Sequence, residues 1–295
     1  MGFDRGTVCR SYVKEQAMLC QFAHQFPPLV ADFLERGRQF KRRVREETIT
    51  DLMMVNLQRL GSDEVIVDFP DEPTTGADME WNFVNPTSET FYRLLIQAKC
   101  AYGNGPRLSS HTYKYLSHRV GGKYQAEILC ESARHSNVPT YPMYIFYNPE
   151  HTCSMARGSD GPMIEGVNLA DGYSIRDFAT TGSRHIPDIR KHMHGLTALF
   201  CPPDDPARIP RPADVRAYLI RELSGWFRLP AEILQDLDAH DHMMIPLEVG
   251  ASIPEDVRAR LGGAADTVKR IPLRRRRVIF ISSGGPEGAA RVAGG

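Results

Sequence analysis

The sequence predicts an α/β protein, and three features predict it. Apolar residues recur at three- and four-residue spacing across 45–60, with Ile49, Leu52, Met53 and Leu60 on one side and Gly61 placed to close a helix. Three β-rich runs follow, at 65–69, 77–84 and 91–100. A second helical pattern, from about Tyr124 to His135, then leads into the continuous apolar run Met143–Tyr147. Such a run suits a strand covered on both faces. The expected order through residue 147 is helix, three strands, helix, strand.

Each element has its own signal. Residues 7–40 read as helical, with Phe26-Pro27-Pro28 opening a segment whose apolar stripe is Leu29, Phe33 and Phe40. Val65–Phe69 is closed by Pro70 and the turn-rich Asp71-Glu72-Pro73. The loop Asn85-Pro86-Thr87-Ser88-Glu89 joins the next two runs as a hairpin. Residues 111–119 read as a Tyr/His-rich helix, and Ile128, Leu129 and Ala133 as the inner face of the helix after Gly121-Gly122. Beyond residue 150 the pattern predicts helices near 186–194 and 213–225 and strands at 196–200 and 277–282. The Gly/Ala-rich stretch 284–295 reads as a disordered tail.

Composition excludes several classes. Thirty-six Lys and Arg balance 36 Asp and Glu, so no uniformly basic nucleic-acid binder is expected. The longest apolar stretch, Tyr141–Tyr147, is far short of the roughly twenty residues of a membrane helix. The run MGFDRGTVCRSYVKEQ has no apolar leader, and the six cysteines form no CxxC. Together these predict a cytoplasmic protein with reduced thiols and no membrane partner.

The chemistry concentrates in the hairpin. A turn centred between Thr87 and Ser88 sets Asp78 opposite Gln97. Strand side chains alternate, so Asp78, Glu80, Gln97 and Lys99 share one face. A carboxylate there can hold a divalent cation with oxygen ligands, and a lysine beside it can position or deprotonate an attacking water. The plain alternative is the polar outer face of an antiparallel pair.

The sequence Gly76-Ala77-Asp78, followed by Gln97-Ala98-Lys99 at the end of the next strand, resembles the PD-(D/E)XK nuclease superfamily in its QxK variant. The run EETITDL…GADMEW…LIQAKC…YPMYIFYNP also resembles a family of uncharacterised bacterial proteins assigned that fold. The resemblance implies a restriction-endonuclease-like core of αβββαβ order, a mixed sheet flanked by helices, over residues 41–150. Residues 1–40 would be an N-terminal helical segment and 151–283 a C-terminal extension. It implies Asp78 as metal ligand and Lys99 as catalytic lysine. Gln97 stands where a second acid is usual, so Glu80 or Glu47 would supply the missing charge. Glu47 is preferred to Glu46 because Thr48 and Asp51 suit a polar helix start beside it. Gln125 and Tyr115 are further candidates for supporting the site. The implied cofactor is Mg²⁺ or Mn²⁺, the partner is DNA, and the activity is phosphodiester hydrolysis, with defence against foreign DNA as the role. A homodimer is left open, as is a degenerate module of the same fold that binds nucleic acid or a protein without cutting.

Two basic clusters flank this region. Arg38, Lys41, Arg42 and Arg43 in the first, and Arg274, Arg275 and Arg276 in the second, are candidate grips on the nucleic-acid backbone. A solvated face explains them equally well. His192 and His194 with Cys201, or His240 and His242 with Asp238 and Asp241, contain zinc-ligand residue types without a strong ligand spacing.

Overall fold

The computed structural model describes residues 18–40, 44–60, 63–70, 77–103, 105–227, 249–262, 273 and 275–283. Lys41, Arg42, Arg43, Arg274, the second histidine set and the tail 284–295 lie outside the described residues. The protein is a mixed α/β structure built on one seven-stranded sheet of order β1-β9-β2-β3-β6-β7-β8. These strands are β1 (Val65–Asp68), β2 (Met79–Asn85), β3 (Thr90–Cys100), β6 (Thr140–Tyr147), β7 (Val167–Asp171), β8 (Met193–Gly195) and β9 (Arg276–Ile281). A separate two-stranded ribbon pairs β4 (Arg119–Val120) with β5 (Lys123–Tyr124). Neighbours in the large sheet are antiparallel except β2 with β9 and β3 with β6.

The helix, three-strand, helix, strand order is present as α2 (Glu46–Gln58), β1, β2, β3, α3 (Gln125–Arg134) and β6. The hairpin register is the expected one. Met79 stands opposite Ile96 and Asn85 opposite Thr90, which places the turn between Thr87 and Ser88. Asn85 fixes that turn by accepting the N–H groups of Thr87 and Ser88 on its Oδ1. All eight residues of β6 are buried, as its apolar run requires. Residues 151–283 supply β7, β8 and β9, and β9 lies inside the sheet, between β1 and β2.

Alternation divides the sheet into two faces. Trp81, Phe83, Leu94, Ile96, Ile145 and Phe280 point into one layer with α1 (Met18–Gly37), α2, α7 (Thr197–Phe200) and α8 (Pro212–Phe227). There Trp81 packs against Phe200 and Phe280, with ring centroids 5.2 and 6.0 Å apart. Leu95, Tyr144, Phe146 and Ala170 point into the other layer, against α3, α5 (Gly172–Thr181) and α6 (Ile186–Arg190). Helices α4 (Glu150–Arg157) and α9 (Glu255–Leu261) and a 3-10 turn at Leu108–Ser110 complete the described helices. None of the described helices is long and apolar enough to cross a membrane.

Four sequence expectations are corrected. Helix α1 runs through Pro27 and Pro28 and buries Leu19, Phe22, Phe26, Val30 and Leu34, so Leu29 and Phe33 lie exposed on other faces and Phe40 is exposed beyond the helix end. A close approach at Gly166 holds α1 in place. A Cβ there would lie 1.9 Å from the Pro27 carbonyl oxygen. Residues 111–119 are not a helix. Thr112 bridges to Tyr102 and His185, while His111 and Tyr113 are buried at the two-residue period of extended chain. Residues 197–200 are the short helix α7, capped by Leu196, rather than a strand, because Leu196, Leu199 and Phe200 meet the core at helical spacing. Finally, the cysteines are not all free. Cys20 and Cys201 form a disulfide, and Cys100, Cys130 and Cys153 are buried thiols.

Candidate functional site

The site is built where β3 outruns β2. Asp78 directly precedes β2, and its N–H still donates to Ile96 O at 2.9 Å. Beyond that bond β3 continues to Cys100, so the Asp78 carboxylate turns onto a stretch of β3 without a β2 partner. Its Oδ2 accepts from the Ala98 N–H at 2.7 Å and from Gln97 Nε2. Gln97 Oε1 is buried and has no partner among the described residues. An acceptor left so costs about 1–3 kcal/mol.

Lys99 is two residues further along the same face and 3% exposed. Its Nζ donates to Gln125 Oε1 at 3.0 Å and lies 3.5 Å from Glu46 Oε1. Gln125 is the first residue of α3, and its backbone N–H is fixed by His118 O at 2.9 Å. Glu46 is the first residue of α2, and its Oε2 accepts from Cys100 N at 3.4 Å. The Thr50 hydroxyl anchors α2 there by sharing a hydrogen bond with Tyr147 of β6 at 3.0 Å. Two helix starts and two strand ends therefore converge on one lysine and one aspartate.

Electrostatics mark Asp78. Burial of its carboxylate pushes the pKa up to about 6, although the Lys99 charge and the Ala98 N–H pull the other way. Cys100 is pushed well up by burial and then by Glu46 and Glu47, which makes it an inert thiol.

Glu46, Asp78, Gln97, Lys99 and Gln125 are thus brought together, and other candidates are not. Glu47 is exposed, and the inward acid is Glu46. The helical turn decides this, because Thr50, one turn after Glu46, faces the core. Glu80 is on the expected face, but its carboxylate is 2.5 Å from Arg277 Nε and 3.3 Å from Asn82 Nδ2. Its charge is balanced within the sheet. Tyr115, 46% exposed, packs edge-on against Tyr102 with centroids 5.6 Å apart, just past the end of β3.

The basic candidates meet acids. Arg276 Nε is 2.6 Å from Asp51, Arg275 lies 4.0 Å from Glu80, and Arg38 lies 3.3 Å from Glu35. No part of the sequence around Glu80 revealed its arginine partners, because β9 is nearly 200 residues away. Arg277→Met should lower stability by about 3 kcal/mol, because buried Glu80 then keeps only the more distant Arg275 and Asp256 also loses its partner. Urea unfolding would read this, and the loss should shrink when Glu80→Leu is added. The zinc set of His192, His194 and Cys201 is not assembled among the described residues. His192 lies against Phe178 in one layer and His194 against Tyr218 in the other.

A mixed α/β fold with a lysine–carboxylate cluster at a strand end is the class these observations define. Residues 19–286 match the model of a family of unknown function, DUF6615, and the chain belongs to that family. No curated protein and no solved structure matches it.

Proposed function

We propose that the protein is a metal-dependent nuclease of the PD-(D/E)XK type, in its QxK variant, that hydrolyses phosphodiester bonds in DNA. The observation that carries this reading is the convergence of Glu46, Asp78, Gln97 and Lys99 at one strand end. The element order α2–β1–β2–β3–α3–β6 supports a restriction-endonuclease-like core, with β9 as an addition between its first two strands.

The residues fit Mg²⁺ or Mn²⁺. Asp78 and Glu46 offer carboxylate oxygens, and the buried Gln97 Oε1 is an acceptor without a partner among the described residues. An all-oxygen set of this kind suits a hard cation. Such an ion would supply Lewis-acid polarisation of the scissile phosphate. Lys99, held by Gln125 and Glu46, would orient the attacking water and offset the charge that develops on the phosphoryl oxygens.

A second reading is a non-cutting module of the same fold. It is favoured by Gln97, since a neutral amide is a weaker ligand than the acid it replaces. Plasmid, linear and single-stranded DNA incubated with Mg²⁺ or Mn²⁺ separates the two. Cleavage that stops with chelator supports the nuclease. Glu46→Gln should then slow cutting by about 100-fold or more, and Glu47→Gln should leave it near the wild-type rate. Salt-sensitive DNA binding with no metal-dependent cutting would establish the binding module instead.

A further inference from the structure

Away from the strand-end site, Cys20, His24 and Cys201 bring two sulfurs and an imidazole nitrogen within 4.8 Å of one another. Cys20 and His24 are four residues apart on α1, so both side chains leave one face of the helix. Cys201 comes from the residue that ends α7, and its Cα is 4.9 Å from that of Cys20. In tetrahedral zinc sites the bonds are about 2.3 Å to sulfur and about 2.0–2.1 Å to histidine nitrogen. Ligand atoms on one such ion lie about 3.5–4 Å apart, so small side-chain movements close the set. His24 is exposed, which leaves the fourth position open to water.

We propose that Cys20, His24 and Cys201 form a three-ligand zinc site in the reduced protein, exchanging with the disulfide in the oxidised one. Reduction by a dithiol puts two electrons and two protons on the two sulfurs, and the reductant leaves as its own disulfide. Zinc then displaces both thiol protons, so binding weakens as pH falls. Either state ties α1 to the end of α7, by a covalent bond or through the metal. The site is independent of the nuclease reading, because none of its three ligands belongs to the strand-end cluster.

The test uses the full chain, reduced with a dithiol and freed of it by anaerobic gel filtration. Zinc is titrated against a chromogenic chelator, and Co²⁺ is used as a spectroscopic probe. The expected result is one equivalent of zinc and the absorption of tetrahedral thiolate-bound Co²⁺. Oxidised protein and Cys20→Ser with Cys201→Ser should lose both. His24→Ala changes an exposed residue and keeps the fold, so it decides the matter even if the cysteine variants misfold. It should weaken zinc binding by about tenfold or more. Reduced wild type that takes up no zinc, or His24→Ala that binds as tightly as wild type, would overturn the proposal.

Discussion

Lys99→Met is expected to lower DNA cleavage by about 10³-fold or more while leaving the protein folded. The amine sits between Gln125 Oε1 and Glu46, with almost no exposed surface. A positioned acid–base group contributes roughly 10²–10⁴-fold, and loss of charge stabilisation at the phosphoryl group adds to that. Methionine nearly preserves the volume and needs no partner. Removing one member of an ion pair is costly where the partner stays buried. Glu46 is partly exposed and can turn its freed carboxylate to water. The assay is single-turnover cleavage with Mg²⁺ alongside a urea unfolding curve. Cutting at the wild-type rate by a folded Lys99→Met would remove the site from the reaction.

Asp78→Asn should abolish cleavage yet make the metal-free protein more stable than wild type near neutral pH. The sign follows from the raised carboxyl. Between its ordinary value of 3.8 and about 6, the folded protein keeps a proton that the unfolded chain releases. Stability from this group is therefore present at pH 4 and lost as pH rises through 6. The loss is about 3 kcal/mol, and asparagine does not suffer it. The unfolding free energies of Asp78→Asn and wild type, measured in chelator, should diverge by about that amount between pH 4 and pH 7.5. Mg²⁺ should then recover part of the difference at pH 7.5 in wild type only, because it binds the ionised carboxylate. Parallel pH profiles for the two proteins would show that Asp78 is not buried as described.

The hairpin and its register were legible because local chemistry sets them. Asn85 and its turn fix the pairing, and alternation then places Asp78, Gln97 and Lys99 together. Helix α3 and strand β6 were legible for the same local reasons. The inward glutamate was not. Glu46 and Glu47 are adjacent, and only the packing of α2 through Thr50 and Tyr147 chooses between them. The pairing of Glu80 was not legible, because its partner arrives from β9, which no local pattern connects to β2. Residues 111–119 and α7 misled for a related reason. Both are short segments whose conformation follows the contacts they make rather than their own propensity. The Cys20–Cys201 bond joins residues 181 apart, a distance at which spacing is uninformative.

Strand β9 has a consequence for synthesis on the ribosome. It is made about 200 residues after β2, yet it lies between β1 and β2. At about 5–20 residues per second the nascent chain waits roughly 10–40 s for it. During that interval β1 has no strand to pair with, β2 presents an open edge, and Glu80 lacks the arginine that neutralises it. A message cut short before β9 leaves those groups unpaired for good, although its Asp78–Lys99 hairpin is already complete. The last described strand therefore unites the two parts of the sheet only in chains translated through Ile281.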